Sequence, residues 1–150
     1  MNDFEKSLNH VLVDTFNSIL KYEETSLKKI SAFPITITEV HMIEAIGRQE
    51  DDEMTVSRIA SLLNIAMPTA TVAIKKLESK GLVKKVPCEK DGRRTIISLT
   101  ETGKRTDRAH RIFHERMVRS VSRQIADEEK EILLKAIMTL SDFFKEKIEA

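Results

Sequence analysis

Cysteine and long apolar runs are scarce in this 150-residue sequence. One cysteine excludes a disulfide within the chain, and no apolar run approaches the roughly 18 residues that a membrane span needs. Residues 1–5 (MNDFE) lack the basic-then-apolar order of a secretory signal. With 41% hydrophobic residues, the length suits one globular domain over residues 1–150. We therefore expect a soluble cytoplasmic protein with no membrane partner.

The sequence also lacks the short motifs of the common enzyme classes. It has no G-x-G-x-x-G, no G-K-[ST] phosphate loop and no G-x-S-x-G nucleophile elbow. Acids and histidines occur, but no spacing assigns a nucleophile and its base. We predict no catalytic residues and a function other than catalysis.

Two short helical patterns lie between Thr55 and Gly81. Thr55 can cap the first helix, Asn64 suits a tight left-handed connection, and Pro68 suits the first turn of the second helix. The inward positions of the second helix are apolar: Ala70, Ile74 and Leu77. Its outward and flanking positions are Thr69, Thr71, Val72, Lys75 and Lys76. This order predicts a helix-turn-helix, whose second helix enters the major groove of DNA.

Strand-prone segments at 82–86 and 95–99 follow directly and flank a basic turn. Asp91-Gly92 is a hairpin signal, because such turns need positive φ angles. The turn presents three basic side chains: Lys90, Arg93 and Arg94. Directly after a helix-turn-helix, this hairpin predicts a wing that contacts phosphates or a narrow minor groove.

The charge distribution agrees with that prediction. The whole chain is almost neutral, with 25 Lys and Arg against 24 Asp and Glu. Residues 55–95 hold 9 basic and 3 acidic residues, a balance of +6, whereas residues 1–54 hold 5 basic and 11 acidic, a balance of −6. Such asymmetry is typical of a local nucleic-acid surface. We place the DNA-binding lobe at about residues 54–99.

Amphipathic helices lie on both sides of this lobe. One covers about residues 4–30, and Thr36 with Glu39 forms a capping box for a second helix that runs to about Gly47. Thr100 can cap a fifth helix over about residues 101–125, and a sixth begins near residue 127. The sixth helix carries an apolar seam: Leu133, Ile137, Leu140, Phe144 and Ile148.

These flanking helices predict a homodimer. Their apolar stripes alternatively pack within one subunit, but a small DNA-binding core leaves little else to cover them. We expect the helices at about 4–30 and 101–148 to form the dimer interface. A two-fold dimer would read two DNA half-sites about one turn apart.

The wing and the helix after it resemble the MarR-type transcriptional regulators. Residues 91–103 (DGRRTIISLTETG) are similar to the family's D-x-R wing running into L-T-x-x-G, and residues 77–83 (LESKGLV) are equally typical. The resemblance covers essentially the whole chain. It implies a mainly α fold with a small β-hairpin wing, in a homodimer of six-helix winged-helix subunits. Such dimers repress transcription on pseudo-palindromic double-stranded DNA, with Asp91 bracing the wing and Arg93 probing the minor groove.

A finer resemblance is to the branch that represses fatty-acid synthesis genes. It is carried by residues 16–20 (FNSIL), by 39–41 (EVH) and by 110–118 (HRIFHERMV). That branch uses acyl carrier protein with a long-chain acyl group as corepressor. The resemblance implies an apolar channel between helices one, two and five, with these candidate wall residues: Phe16, Leu20, His41, Phe113 and Met117. Each of them alternatively serves in ordinary core packing.

The histidines support a second reading within the same family. His110 and His114 are four residues apart and share one helix face. With His41 and either Glu23 or Glu24, they could form a four-ligand zinc site. Zinc-responsive MarR-type repressors draw ligands from these same helices, so the alternative set is Glu24, His41, His110 and His114. A regulator of another small-molecule ligand is the remaining alternative, and the first reading needs no cofactor.

Cys88 raises a redox alternative. Lys85 and Lys90 could lower the pKa of its thiol, which would favour the reactive thiolate. Peroxide-sensing relatives, however, place the reactive cysteine near the N-terminus, and this chain has no resolving cysteine. We therefore interpret Cys88 as a small residue at the end of a wing strand.

Overall fold

In the parts of the chain that the structure describes, the computed structural model contains six helices and one β-hairpin. It describes these parts of the chain: residues 1–30, 34–48, 54–89 and 91–149. The helices are α1 (Asp3–Ile30), α2 (Ile37–Gly47), α3 (Val56–Leu62), α4 (Met67–Ser79), α5 (Glu101–Ser122) and α6 (Asp127–Glu149). Strands β1 (Val83–Pro87) and β2 (Thr95–Leu99) lie between α4 and α5. The chain divides into two compact units, Met1–Arg111 and Ile112–Ala150.

Local capping signals determine where three helices begin. The hydroxyl of Thr36 accepts a hydrogen bond from Glu39 N, and the Glu39 carboxylate accepts one from Thr36 N, which completes the predicted capping box. Thr55 accepts from Arg58 N at the start of α3. Thr100 accepts from Gly103 N at the start of α5. These caps pair backbone N–H groups that have no partner inside a helix.

Helices α3 and α4 form the predicted helix-turn-helix. They are bent by 111° relative to each other, within the range of this motif. Asn64 makes the connection with a φ of 50°, and Gly81 follows α4 with a φ of 69°. Among the described residues, no single helix is both long and apolar enough to cross a membrane, and only the bent pair α3 and α4 reaches that length and hydropathy together.

The wing strands β1 and β2 pair antiparallel, from Val83 opposite Leu99 to Pro87 opposite Thr95. Ile97 also donates its N–H to Met54 O, which ties the segment before α3 to the hairpin. The first strand begins at Val83, one residue later than predicted. Leu82 instead donates to Leu77 O and accepts from Thr100 N, so it joins the end of α4 to the start of α5.

One apolar core joins α2, the helix-turn-helix and the hairpin. Its buried members are Met42, Ile43, Ile46, Met54, Ile59, Ile74, Leu77, Leu82, Val83, Ile97 and Leu99. Burying each large side chain contributes about 1.5–3 kcal/mol relative to an exposed one. Ala70, Ile74 and Leu77 are all buried, which confirms the inward face predicted for α4.

The start of α5 requires a glycine. A Cβ on Gly103 would lie 2.0 Å from the carbonyl oxygen of Leu82. Helix α5 therefore approaches the backbone before β1 more closely than any other residue type permits. At its other end, α5 ends at Ser122, three residues earlier than predicted, whereas α6 begins at Asp127 as expected.

Helix α6 leaves most of its apolar side chains exposed within one chain. Of the predicted seam, only Leu140 is half-buried, and these four are exposed: Leu133, Ile137, Phe144 and Ile148. On α1, Phe4, Val11 and Phe16 are also exposed. Apolar side chains that lie exposed along one helix are typical of a surface that another chain covers.

Candidate nucleic-acid interface

Helix α4 presents most of its predicted reading side chains to solvent. Thr69, Val72, Lys75 and Lys76 are exposed, while the opposite face is buried in the core. Thr71 is half-buried, and its hydroxyl donates to Met67 O four residues earlier. Its hydroxyl therefore has an intrahelical partner before any ligand is bound, which the sequence pattern did not indicate.

The wing turn does not have the backbone conformation expected for Asp91-Gly92. Gly92 does not adopt a positive φ. Instead Asp91 O accepts from Arg94 N, and the Asp91 carboxylate accepts from Arg93 N at 3.1 Å. Cys88 N donates to Arg94 O and closes the loop. The expected positive φ at Gly92 is therefore wrong, because hydrogen bonds to Asp91 stabilise a different turn.

The wing arginines lie at an exposed loop with a defined backbone. Arg93 and Arg94 are both exposed, and the hydrogen bond from Arg93 N to Asp91 fixes the main chain beneath them. Lys90, the third predicted basic residue, lies outside the described residues. Lys75 and Lys76 of α4 are exposed as well, so both predicted DNA-contacting elements of the lobe present basic side chains to solvent.

An ion pair that the sequence did not indicate joins α2 to the end of α4. Lys80 Nζ lies 2.7 and 2.8 Å from the two oxygens of Glu39 and donates to Pro34 O at 2.9 Å. Burial alone would raise the pKa of Glu39, but the bonds from Lys80 and Thr36 outweigh it and hold that pKa below its usual value. Lys80 and Glu39 are 41 residues apart, and no local pattern predicts their contact.

A buried cluster of histidines and carboxylates lies on α1, α2 and α5. Glu23 Oε1 is 2.7 Å from His110 Nε2 and 3.0 Å from His41 Nε2. Glu23 and His110 are almost fully buried, whereas His41 is partly exposed. Burial would raise the pKa of Glu23, but hydrogen bonds from both histidines outweigh it and lower that pKa.

Glu44 and Asp107 extend this cluster. Glu44 Oε2 lies 3.6 Å from His110 Nδ1, and Asp107 pairs with Arg111 at 2.8 Å. Burial raises the pKa of the Asp107 carboxyl, with Arg111 acting in the opposite direction. A Cβ on Gly47 would lie 2.9 Å from Asp107 Oδ2, so α2 and α5 approach closely here. Sequence reasoning identified neither carboxylate.

The structure brings together only part of the predicted metal-ligand set. The ligand atoms of Glu23, His41 and His110 all lie within 4.8 Å of one another. Glu24, named in the predicted set, instead pairs with Lys28 at 2.9 Å and with Lys21 at 3.4 Å. One residue corresponds to about 100° around a helix, so adjacent carboxylates face different surroundings. His114 makes an edge contact with the Phe113 ring.

The residues predicted to line an effector channel differ in exposure. Phe16 is 61% exposed, and Leu20 is half-buried. In the second unit, Phe113 is buried and Met117 is half-buried. The apolar effector channel therefore stays a prediction.

Cys88, the candidate redox residue, is buried at the end of the wing strand, which suits a packing role.

A helix-turn-helix with an exposed second helix, followed by a basic hairpin, defines a winged-helix DNA-binding protein. Comparison with known proteins agrees with this class. The sequence profile of the MarR family matches residues 33–94. The structure of Streptococcus pneumoniae FabT in complex with DNA superposes with a TM-score of 0.87 at 31% identity, covering 95% of this chain and 98% of that one. This chain belongs to the MarR family.

Two further relatives show how far the likeness extends. Transcriptional regulator ZitR of Lactococcus lactis subsp. cremoris is 26% identical over 114 residues, which cover 74% of this chain and 77% of ZitR. The Staphylococcus aureus MepR F27L mutant bound to an oligodeoxyribonucleotide superposes with a TM-score of 0.63 at 22% identity, covering 91% and 97% of the two chains. The MepR likeness supports the fold alone.

Proposed function

We propose that this chain is a homodimeric repressor of fatty-acid synthesis genes that responds to acyl carrier protein with a long-chain acyl group. The observation that carries the proposal is the likeness of the whole chain to the FabT–DNA complex. The sequence resemblance at residues 16–20, 39–41 and 110–118 supports the same branch. The exposed apolar side chains of α1 and α6 support the dimer.

In this mechanism the dimer places two copies of α4 in successive major grooves. The exposed Thr69, Val72 and Lys75 contact base edges, while Arg93 and Arg94 of the wing approach the flanking backbone. Half-site spacing is fixed by DNA geometry. An effector that changes the separation of the two recognition helices therefore changes affinity through a coupling free energy.

The test is fluorescence anisotropy with duplex DNA from a fatty-acid synthesis promoter of the source genome. The titrations are run with long-chain acyl carrier protein, with acyl-free carrier protein and with neither, all in chelator. Tighter binding with the acyl form alone supports the proposal. Binding that is equal in all three titrations removes the lipid response but leaves the family assignment standing.

The buried cluster of Glu23, His41 and His110 favours zinc response as a second candidate function. Three N and O ligands with a fourth position open suit zinc. Ligand atoms about 2.0 Å from zinc at tetrahedral angles lie about 3.3 Å apart. The Glu23–histidine distances of 2.7 and 3.0 Å would therefore need to open only slightly. Without an ion, the same three groups hold α1, α2 and α5 together by hydrogen bonds.

Zinc binding is tested by competition with a chromophoric chelator. The wild-type protein is compared with His41→Ala and with His10→Ala, whose histidine is exposed on α1 and lies near Asp14. Selective loss of zinc affinity in His41→Ala, with zinc-dependent DNA binding in the wild type, supports this candidate. Equal zinc affinity in all three proteins contradicts it, and lack of response to either effector points to a ligand of different chemistry.

A further inference from the structure

A cleft of about 490 Å³ lies between the first turn of α2 and the first half of α4. Its α4 wall includes Thr69, Val72 and Lys76, which all belong to the predicted DNA-reading set. Its α2 wall includes Thr36, Thr38 and Glu39. The cleft therefore continues the DNA-binding surface of α4 onto a helix that the sequence did not associate with DNA.

The dimensions of duplex DNA determine what lies beside α4. The major groove is about 12 Å wide, and a helix with its side chains measures about 10–12 Å across. A recognition helix therefore fills the groove, and the sugar–phosphate strands that border the groove lie against its flanks. On one flank of the first half of α4, the adjoining protein wall is the first turn of α2.

The charges in the cleft suit a phosphate strand. Glu39 alone would repel phosphates, but Lys80 contacts both of its carboxylate oxygens. Lys76 is exposed and has no carboxylate partner within the described parts of the chain. Thr38 is also exposed, and among those residues its hydroxyl has no hydrogen-bond partner. The cleft thus offers an ammonium and a hydroxyl, while apolar groups such as Val72 suit deoxyribose.

We propose that this cleft seats the DNA strand bordering the major groove, with Thr38 of α2 and Lys76 of α4 bound to its phosphates. Helix α2 then becomes a third contact element beside the recognition helix and the wing. The Glu39–Lys80 pair holds the two walls at a fixed separation and neutralises the carboxylate. The inference rests on DNA binding by the family and does not depend on which genes or effector the protein uses.

The test compares Thr38→Asp with the wild type on a duplex that the purified protein selects from a random library. Position 38 is in the first turn of α2, where an acidic residue stabilises a helix. Thr38→Asp is therefore expected to keep or raise the thermal stability while weakening DNA binding by about 10-fold or more, since like charges meet at the interface. Thr25→Asp on α1 adds the same charge at an exposed threonine and serves as the control.

Methylphosphonate substitution of the duplex locates the contact. Single phosphates are neutralised one at a time, at equivalent positions of both half-sites, and each duplex is titrated with both variants and the wild type. The penalty of Thr38→Asp is expected to disappear at one phosphate position bordering the groove. Thr38→Ser, which keeps the hydroxyl, should bind every duplex as the wild type does.

Two results would overturn the inference. One is a penalty for Thr38→Asp no larger than that for Thr25→Asp. The other is a penalty that stays the same at every methylphosphonate position, which would show that no strand lies in the cleft. Both results concern a selected duplex, so they are independent of any test of fatty-acid gene regulation.

Discussion

The DNA-binding lobe and helix α6 place their apolar side chains in opposite ways. In the lobe, Ile59, Ile74 and Leu77 are at most 1% exposed, and the charged side chains lie outside. On α6, Ile132 is 70% exposed and Ile148 is 65% exposed. The lobe therefore completes its core within one chain, whereas α6 leaves apolar side chains exposed, as we expect of a surface that another chain covers.

This difference separates two tasks. In the proposed function the lobe contacts DNA through exposed polar and basic groups on α4 and the wing, so its own stability must come from the core beneath them. We expect the exposed apolar residues of α6 to contribute to the dimer interface, and dimerisation doubles the number of DNA contacts. Changes in the two regions should therefore have separable effects on folding, dimerisation and DNA affinity.

The largest expected effect comes from a charge in the α6 seam. Ile137→Asp should yield a monomer, because a carboxylate at an apolar interface is desolvated without a partner. Loss of the second half-site contact should lower DNA affinity by about 100-fold or more. Analytical ultracentrifugation measures the mass, and anisotropy measures the affinity.

Thr139→Asp is the matched control for Ile137→Asp. It adds the same charge on α6, two residues along the chain and outside the seam. It should remain dimeric and bind DNA as the wild type does. An Ile137→Asp protein with the mass of a dimer would show that the seam has another role.

For folding stability, the largest effect should come from Gly103→Ala, where α5 packs against Leu82 of the lobe. The added Cβ would lie 2.0 Å from Leu82 O, so either α5 or the backbone before β1 must move. We expect a loss of about 3 kcal/mol in the free energy of unfolding, measured with urea. Gly92→Ala is the control, because a Cβ there meets nothing within 4 Å. Equal unfolding midpoints for the two variants would contradict this close approach.

Gly103 also shows what the sequence could and could not predict. Signals between near neighbours were sufficient for the Thr36–Glu39 capping box, the Asn64 connection and the inward face of α4. The family motif included Gly103, but only the fold shows that the carbonyl of Leu82 excludes a side chain there. Capping and periodicity depend on residues close together in the chain, whereas the packing of Gly103 against Leu82 depends on the tertiary fold.

The site residues divide in the same way. The choice between Glu23 and Glu24 depends on how α1 packs, and the contact of Glu39 with Lys80 joins residues far apart in the chain. The wing turn also differed from prediction, because Asp91 satisfies the backbone without a positive φ at Gly92. Long-range contacts and competing turn geometries leave no unique local pattern.

A smaller effect is expected from Arg93→Ala in the wing. Loss of one phosphate or minor-groove contact should weaken DNA binding by about 10-fold and reduce the slope of log K against log salt by about 1. The dimer and the unfolding free energy should be unchanged, because the side chain is exposed. Arg123→Ala, at an exposed position after α5, removes the same charge and should leave the salt slope unchanged. An unchanged slope for Arg93→Ala would exclude the wing contact.

A further prediction concerns the ion pair between α2 and the end of α4. The pKa of Glu39 is lower in the folded chain than its ordinary value of 4.5. Its pairing with Lys80 therefore stabilises the fold above about pH 4.5, and that stability is lost as the pH falls further through the folded pKa. Glu39→Gln should cost about 1–2 kcal/mol at pH 7, since Lys80 keeps only a neutral partner.

The pH dependence distinguishes this ion pair from simple packing at Glu39. The difference in unfolding free energy between the wild type and Glu39→Gln should shrink steadily below pH 4.5. Protonation of Glu39 then leaves the wild type with a neutral side chain at this position, as in the variant. Glu115→Gln, at an exposed position on α5, should differ from the wild type by less than about 0.5 kcal/mol at every pH. Urea unfolding at a series of pH values provides the measurement. If the unfolding free energy of Glu39→Gln stays below that of the wild type by the same amount from pH 7 to pH 3, then side-chain packing, and not charge, joins α2 to the recognition helix.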